Sequence, residues 1–309
     1  MTAGLFSHDT RPVLRDIHGV LLLDKATGLS SNAALQRVKR LFRAKKAGHT
    51  GSLDPLASGL LPICLGEATK LSGFLLNHDK RYQVRIRLGV TTDSGDAEGA
   101  ILTTTAVPPL SEDIMERVLA PFRGDILQKP PMFSALKHQG KRLYELARQG
   151  IEVEREARPV CIHALTLLGM EGDILSLDVH CSKGTYIRTL AEDIGQALGC
   201  GGHVVALRRS DAGCFSLASA HTETALNERA DADLLATLLP PDAVVEHLPA
   251  VQLNEEMAFH VRRGQAVLVP KAPVTDWVRL YARESGFMGM GVVLDDGRVA
   301  PRRLLNLLH

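Results

Sequence analysis

The stretch KRYQVRIRLG, residues 80–89, alternates apolar with polar side chains along almost its whole length. The apolar positions are Tyr82, Val84, Ile86 and Leu88, and the positions between them hold arginines and a glutamine. Because successive side chains of a strand point to opposite faces of a sheet, this period of two predicts a strand with one buried and one solvent-facing side. Tyr82 is therefore expected among the core residues, on the opposite face from the arginines.

Further strands and helices are predicted on both sides of this strand. The run GVLLLDK (19–25) suits a buried strand, and residues 175–181 alternate as another. Apolar residues recur at helical spacing in 31–42, 111–123 and 190–198, and the helix at 31–42 has a cationic outer face. The order of these elements lacks regular βαβ spacing, so the sequence predicts a mixed α+β fold rather than a doubly wound one.

The chain is predicted to divide into three parts. Residues 1–15 are predicted to form a flexible arm, and 16–249 a large domain that ends with the helical connector ERADADLLATLLPPDAVVEHLP. Residues 250–309 contain short apolar runs separated by Gly, Pro and Asp, which is typical of a small β-rich module.

Composition narrows the class of protein. Of the 309 residues, 45% are hydrophobic and 23% charged, which is the usage of an ordinary globular protein. The first residues lack the apolar run of a secretory signal, and no stretch approaches the ~20 apolar residues of a membrane span, so we expect a cytoplasmic protein. Five cysteines and twelve histidines are scattered without the spacing of a disulfide framework or a metal site, so we predict no metal.

The charge distribution indicates an anionic partner. The net charge is only +1, so a polyanion has to be bound by local patches. Lysines and arginines cluster at 37–46, at 80–87 and at 137–148. Three cationic clusters on a nearly neutral chain favour nucleic acid.

The segment GHTGSLDPLASGLLP (48–62) contains a single acidic residue, Asp54, with no charge nearby in sequence to neutralise it. The chain has no glycine-rich nucleotide-binding motif and no serine-hydrolase elbow, so Asp54 is the main candidate for chemistry. An enclosed carboxylate needs a cation to stay ionised, and Arg188 is the candidate partner. If the segment is extended, Tyr186 and Arg188 share one face, and Arg188 is predicted to hold Asp54 by two parallel hydrogen bonds.

Five motifs together resemble the TruB family of tRNA pseudouridine synthases, which isomerise the uridine at position 55 of the tRNA T arm. They are GHTGSLDPLASGLLPICLGEATK, KRYQVRIRLG, PPMFSALKHQGKRLYELARQG, SKGTYIRTLAEDIG and GHVVALRR. The resemblance runs from about residue 19 to 209, and MGMGVVLDDGRVAPRRLL extends it to the C-terminus. It implies a mixed, mostly antiparallel central sheet flanked by helices in 16–249, and a PUA-like RNA-binding module in 250–309.

The resemblance also assigns roles to residues in and around the site. Asp54 becomes the nucleophile, Tyr82 the ring beside the target base, Tyr186 a wall of the pocket, and Leu207 the apolar contact under the base. Arg188 supports the nucleophile. The reaction involves no redox change and no net hydrolysis, so no cofactor is expected.

The remaining implied roles concern RNA binding. His49 is expected to enter the stack that the flipped uridine vacates. The basic helix with Arg37, Arg40 and Arg43, together with Arg208 and Arg209, is expected to contact phosphates. The family further implies a monomer without an obligate protein partner, whose C-terminal module grips the tRNA acceptor end.

Two positions depart from the family pattern. Lys25 is followed by Ala26 where proline is usual, which predicts a less rigid strand exit, and Phe133 replaces a common tyrosine. Three questions stay open at this stage: whether Asp54 attacks the sugar or the base, whether the chain is instead a nucleic-acid glycosylase, and whether it is a non-catalytic RNA-binding or RNA-folding protein.

Overall fold

The structure is a computed structural model that describes residues 13–273 and 275–307. Most of the predicted flexible arm, 1–12, lies outside the described residues. At 13–15 the chain is held, because Arg15 forms a bridge to Ala44 and its guanidinium lies 3.2 Å from Asp231 Oδ2.

Helices and strands alternate irregularly in the described residues. The strands, in chain order, are β1 (Gly19–Lys25), β2 (Ala47–His49), β3 (Ala57–Leu65), β4 (Lys80–Leu88), β5 (Val90–Thr92), β6 (Ile101–Thr104), β7 (Gly124–Gln128), β8 (Lys137–His138), β9 (Lys141–Arg142), β10 (Arg158–Glu171), β11 (Ile174–Cys181), β12 (Gly202–Ala212), β13 (Phe215–Ser216), β14 (His221–Thr222), β15 (Ala250–Leu253), β16 (Val267–Leu268), β17 (Trp277–Ala282), β18 (Gly286–Val293) and β19 (Arg298–Leu304). The α-helices are α1 (Ser31–Leu41), α2 (Ser72–Leu76), α3 (Glu112–Leu119), α4 (Leu143–Ala147), α5 (Ile187–Ala197), α6 (Glu223–Asn227), α7 (Asp231–Leu235) and α8 (Glu255–Arg262). None of the helices in this part of the chain is both long and apolar enough to cross a bilayer.

A ten-stranded sheet forms the centre of the molecule. Its main path runs β14-β1-β3-β12-β4-β11-β10-β7, with β2 paired to β3 and β13 to β12. Only the β1–β14 and β3–β12 pairs are parallel, and the other pairs are antiparallel. The prediction of a mixed α+β fold with a mostly antiparallel sheet is confirmed.

Strand β4 lies in the middle of this sheet and shows the predicted alternation of buried and exposed side chains. Tyr82 is on the buried face, as expected. The arginines on the open face pair with carboxylates of neighbouring strands. The pairs are Arg81 with Asp178 (2.7 Å), Arg87 with Asp173 (3.2 Å) and Arg85 with Glu171 (3.7 Å).

Strands β1 and β3, in contrast, are buried on both faces. One face, called the front, carries Leu21 and Leu61 and belongs to the core cluster that also contains residues of α1, α3 and α5. The opposite face, the back, carries Val20 and Leu60. Burial on both faces explains why these two strands read as continuous apolar runs rather than as alternating ones.

The back of β1 and β3 belongs to a core cluster with residues 68–75 and 244–245 and with Phe287 and Met290 of a second sheet, which has five strands in the order β15-β17-β18-β19-β16. The rings of Phe74 and Trp277 meet edge to face at 5.0 Å between centroids. Asn306 N–H donates to Glu67 Oε2 at 2.7 Å. A β-rich module after residue 249 is confirmed, whereas the exact division into domains at 15 and 249 stays a prediction.

The predicted helical connector at 228–249 is helical only in two short segments, which are α7 and a 3₁₀ helix at Pro241–Val245. Only α7 is α-helical, and the chain then pairs with β1 through reciprocal 2.9 Å hydrogen bonds between Val20 and Leu239. Pro240 and Pro241 follow directly, and proline interrupts a helix because it lacks the N–H donor and its ring clashes with the preceding turn.

Candidate active site

The loop 50–56 between β2 and β3 carries Asp54 and is held at several points by main-chain and buried contacts. Ser31 Oγ donates to Leu53 O at 2.9 Å and accepts from Leu53 N at 2.7 Å. Gly28 N–H donates to Pro55 O at 2.8 Å. Ser30 caps α1, which leaves Ser31 at the first turn of α1 free to face the loop. Leu53, the residue immediately before Asp54, is therefore held through both its N–H and its C=O.

Asp54 lies against Arg188 at the floor of an open cleft. Arg188 Nε is 3.0 Å from Asp54 Oδ2, while the Asp54 side chain stays 43% exposed and that of Arg188 only 8%. The other nitrogens of Arg188 donate to main-chain carbonyls, Nη1 to Ser94 O at 2.8 Å and Nη2 to Phe133 O at 2.6 Å. The closest approach between the two side chains is through Nε, and no hydrogen bond from either Nη of Arg188 to Asp54 is present among the described residues, so the predicted bidentate grip is wrong.

The turn TTDSGDAEG brings a second carboxylate to the same guanidinium. Asp96 Oδ2 lies 3.8 Å from Arg188 Nη1, and Asp96 accepts hydrogen bonds from Ser94 Oγ (2.5 Å) and Glu98 N–H (3.1 Å). Burial raises the pKa of Asp54 above its usual value, Arg188 offsets part of that rise, and the charge of Asp96 adds to it. Arg188 therefore keeps Asp54 more acidic than its burial alone would allow.

Arg188 is placed by a helix and not by an extended segment. Helix α5 begins at Ile187, so Tyr186 is the extended N-cap residue and Arg188 lies in the first helical turn. The predicted shared face of two extended residues is wrong for this reason. Gln128 fixes the junction from β7, since its Oε1 accepts from Tyr186 N–H at 2.9 Å and its Nε2 donates to Tyr186 O at 3.3 Å.

Tyr82 and Leu207 form part of the floor of the cleft on the front face of β4 and β12. Each is 9% exposed, and Leu207 lies opposite Val84 on β4 and Ala57 on β3. Burial raises the pKa of Tyr82, so its hydroxyl keeps its proton at neutral pH. The ring and the leucine lie in the same core cluster, and the negative charge of Asp54 adds to the rise in the pKa of Tyr82.

Close approach of β12 to β3 depends on Gly59. This residue has φ +101°, and an added Cβ would lie 2.3 Å from Arg209 O. Any other side chain would push β12, and with it Leu207, away from the loop that carries Asp54.

His49 ends β2 opposite Ile63 of β3. Its Nδ1 is buried and has no hydrogen-bond partner in residues 13–273 and 275–307. Burial, together with the positive charge of Arg209, lowers the pKa of His49, so the ring is neutral at neutral pH.

Three of the four arginines predicted to contact phosphates form ion pairs within the chain. Arg37 lies 3.2 Å from Glu223, Arg43 2.5 Å from Asp231, and Arg208 2.7 Å from Asp24. Arg40 is exposed and forms no ion pair among the described residues. Phosphate contacts of these four residues stay predictions, but the prediction is wrong for Arg209, whose side chain is 1% exposed and cannot reach a phosphate.

Sequence reasoning missed several residues of the site. Lys25 is 1% exposed and donates to Ala26 O (2.8 Å) and Leu29 O (2.7 Å), so the lysine itself closes the strand exit that was expected to be less rigid without proline. Burial lowers its pKa to about 8, although Asp54 and Glu98 raise it in part. The position of Lys25 at the end of an apolar run was a sequence signal that could have identified it as a residue of the site. The sequence contained no such signal for Asp96 or Gln128.

A search of residues 13–273 and 275–307 finds no group of three His, Cys, Asp or Glu side chains arranged to hold a metal ion.

Comparisons with known proteins agree over nearly the whole chain. Residues 39–187 match the family model of the TruB family pseudouridylate synthase N-terminal domain, 188–246 the tRNA pseudouridylate synthase B C-terminal domain, and 249–305 the pseudouridine synthase II TruB C-terminal model. The tRNA pseudouridine synthase B of Nitrosococcus oceani is 56% identical over 294 residues, which cover 94% of this chain and 96% of that protein. The protein of the same name from Tolumonas auensis is 53% identical over 304 residues, covering 95% and 94%.

Solved structures share the fold. A chain from a Cbf5-Nop10-Gar1 complex superposes with a TM-score of 0.70 at 26% identity, over 94% of this chain and 84% of that one. A chain of an H/ACA RNP bound to a substrate RNA containing 2′-deoxyuridine gives 0.70 at 24% identity, over 93% and 85%. With more than half of its residues identical to those of its relatives over nearly its full length, this chain belongs to the TruB family of pseudouridine synthases.

Proposed function

We propose that this chain isomerises uridine to pseudouridine in tRNA, at position 55 of the T loop, with Asp54 as the nucleophile. The observation that carries the proposal is the 3.0 Å contact between Asp54 and the buried Arg188 in a cleft floored by Tyr82 and Leu207. Relatives more than 50% identical bear the name tRNA pseudouridine synthase B, which supports both the reaction and the substrate.

The reaction needs only the groups that this cleft offers. The N1–C1′ bond breaks, the uracil turns, and a C5–C1′ bond forms, while a proton leaves C5 and N1 gains one. Atoms and electrons balance within the nucleotide, so a nucleophile and a closed, oriented pocket suffice. Asp54 is exposed enough to touch a base or sugar that enters the cleft, and attack at C1′ of the sugar or at C6 of the base is equally compatible with its position.

Tyr82 supports the turning base in two ways. A uracil stacked on its ring gains roughly 1–3 kcal/mol. Because burial keeps the hydroxyl protonated, Tyr82 can relay the C5 proton only by giving up its own as it accepts another. Tyr186, whose pKa burial also raises, borders the pocket beside Arg188.

The target base must leave its stack before Asp54 can reach it, at a cost of a few kcal/mol. A neutral His49 suits insertion into the vacated position, because an uncharged ring stacks on bases without desolvating a charge. The C-terminal sheet, packed on the back of β1 and β3, is assigned to the acceptor end of the tRNA. The chain acts in the cytoplasm as a monomer and needs no further protein.

The decisive variant is Asp54→Asn, which preserves shape and removes the nucleophilic charge. We expect unchanged tRNA affinity and a single-turnover rate lower by at least about 10⁴-fold, measured by nucleoside chromatography of a T-arm transcript. Near-normal pseudouridine formation by this variant would exclude Asp54 as the nucleophile.

The same chromatogram separates the two remaining functions. A glycosylase would release free uracil from the wild-type reaction, whereas an isomerase leaves the RNA chain with every base attached. A non-catalytic RNA-binding protein would change neither uridine nor uracil content, and its Asp54 variants would behave as the parent in every assay.

A further inference from the structure

Arg209 is a buried cation whose surroundings call for an explanation. Its side chain is 1% exposed and is the largest of the fully buried side chains in the structure. No carboxylate pairs with it in the described part of the chain, although the neighbouring Arg208 is ion-paired with Asp24. An unpaired guanidinium inside a protein is strongly unfavourable unless its N–H groups are satisfied and a specific arrangement depends on it.

The hydrogen bonds of Arg209 connect three parts of the site. Nε donates to Leu60 O of β3 at 2.7 Å, and Nη2 donates to Gly51 O at 3.2 Å. Gly51 adopts φ +80° three residues before Asp54, at the turn that aims the loop into the cleft. Tyr82 is the residue directly opposite Arg209 on β4, and the positive charge of Arg209 offsets part of the rise that burial causes in the pKa of Tyr82.

A guanidinium has five donors and no acceptor, so Arg209 is suited to main-chain carbonyls such as those of Leu60 and Gly51. Because the planar fork reaches several acceptors at fixed angles, a lysine ammonium in the same place cannot hold the same set of partners in the same geometry.

On the basis of the proposed function, we propose that Arg209 is a positioning residue that locks the Asp54 loop and Tyr82 into one rigid unit. The nucleophile and the stacking ring must contact one nucleotide at the same moment, and their separation is set through the bond from Arg209 to Gly51 O and through the β12–β4 pairing that places Arg209 opposite Tyr82. Arg209 touches no substrate and acts only through these two partners.

The test compares Arg209→Lys with Arg279→Lys. Arg279 is a matched control in the C-terminal sheet, since its Nε donates to Leu248 O at 2.8 Å and its Nη1 to Tyr281 OH at 3.0 Å. For Arg209→Lys we expect a kcat about 100-fold lower with tRNA Kd within about twofold, because misplacement of reacting groups by ~1 Å has effects of this size. Hydrogen exchange should become faster in 48–56 and stay unchanged in 250–304. Arg279→Lys should leave exchange in 48–56 at the wild-type value.

Two outcomes would overturn the inference. One is a wild-type kcat together with wild-type exchange at 48–56 in Arg209→Lys, which would leave the proposed function intact. The other is faster exchange throughout the chain in Arg209→Lys and also in Arg209→Gln, a smaller uncharged change, which would indicate a general structural role. If the wild-type protein forms no pseudouridine, the proposed function fails, and the exchange comparison still decides whether Arg209 locks the loop.

Discussion

The N–H groups of the cationic side chains near Asp54 have different partners from those on the surface of α1 and β4. Lys25, Arg188 and Arg209 are at most 7% exposed and donate mainly to main-chain carbonyls. On the surface, by contrast, Arg37 pairs with a carboxylate of α6, and the arginines of β4 pair with carboxylates of neighbouring strands and turns.

The difference decides where positive charge remains available. A carbonyl satisfies an N–H donor without cancelling its charge, whereas a carboxylate cancels it. The buried set therefore keeps a positive field around Asp54, in a region where charge interactions are weakly screened. Most of the surface set is neutralised by such pairs, with Arg40 on α1 as an exception among the described residues, although the sequence shows the set as two dense cationic clusters.

The third cluster belongs to neither set. Lys137, Lys141, Arg142 and Arg148, which we call the hairpin cations, are exposed on β8, β9 and the end of α4, and they form no ion pair among the described residues. Arg142 and Arg148 flank the ring of Tyr144, at 5.9 and 5.5 Å from its centroid. The loop that precedes β8 borders the site, because Phe133 O accepts a hydrogen bond from Arg188 Nη2.

The largest effect is expected from removing a cation of the buried set with Arg188→Gln. The single-turnover rate should fall by about 10²- to 10³-fold, because Asp54 loses both its orientation and its counter-charge. Arg188 lowers the pKa of Asp54, so that pKa should rise further in the variant. Since Asp54 acts when ionised, activity should begin to fall at a higher pH than in the wild type as the solution is acidified.

A pH profile of the single-turnover rate checks this prediction. Arg123→Gln is the matched control, because Arg123 also binds a carboxylate, Glu116, and a carbonyl, Leu165 O, but lies at the far edge of the sheet. It should leave the rate and the acid limb unchanged. An acid limb that does not move in Arg188→Gln would show that Arg188 does not control the ionisation of Asp54.

A smaller effect, on binding alone, is expected from replacing the four hairpin cations by alanine. If they contact phosphates, tRNA Kd at low salt should rise by about 10- to 100-fold, and the dependence of log Kd on log salt should lose about one unit per contact removed. The single-turnover rate at saturating enzyme should stay within a few fold, because none of these residues contacts Asp54.

The comparison variant replaces Arg81, Arg85 and Arg87 of β4 by glutamine. These arginines are already neutralised by Asp178, Glu171 and Asp173, so Kd should change by less than about threefold. A larger loss of affinity in the β4 variant than in the hairpin variant would contradict the division into neutralised and available cations.

The spacing of apolar residues in the sequence was sufficient to predict those helices and strands that bury a single face. The period of two in β4 and the helical spacing of α1 correspond to one buried face each, so both elements could be predicted. The connector at 228–249 could not, because its pairing with β1 is a contact between residues about 220 apart in the chain. Helix α5 begins one residue before Arg188 because Gln128, 58 residues away, satisfies the backbone of Tyr186.

A contact within the site could be predicted only where the chemistry of one residue required a particular type of partner. An isolated aspartate required a cation, and Arg188 was available in a second motif. Arg209 was misassigned to phosphates because an arginine on a strand has the same sequence signature whether its face is open or buried. Its burial depends on the β3–β12 pairing and on Gly59, which no local pattern around residue 209 contains.

The smallest effects are expected at α1, where the charge is already cancelled. Arg37→Gln should change tRNA Kd by less than about twofold and the free energy of unfolding by less than about 1 kcal/mol, since Arg37 and Glu223 are 45% and 34% exposed. Glu223→Gln should act in the opposite direction. It leaves Arg37 without its carboxylate, so RNA affinity should increase by about two- to fivefold, with up to about one unit more salt dependence.

Salt titrations of tRNA binding by the two variants check this asymmetry, with Glu171→Gln as the control that frees Arg85 on β4 instead. If α1 borders the bound RNA, Glu223→Gln tightens binding and Glu171→Gln does not. Equal tightening would indicate only a general gain in positive charge. A loss of affinity in Arg37→Gln as large as that of the hairpin variant would mean that RNA displaces Glu223 from Arg37, and that an internal ion pair on this protein's surface does not prevent a phosphate contact.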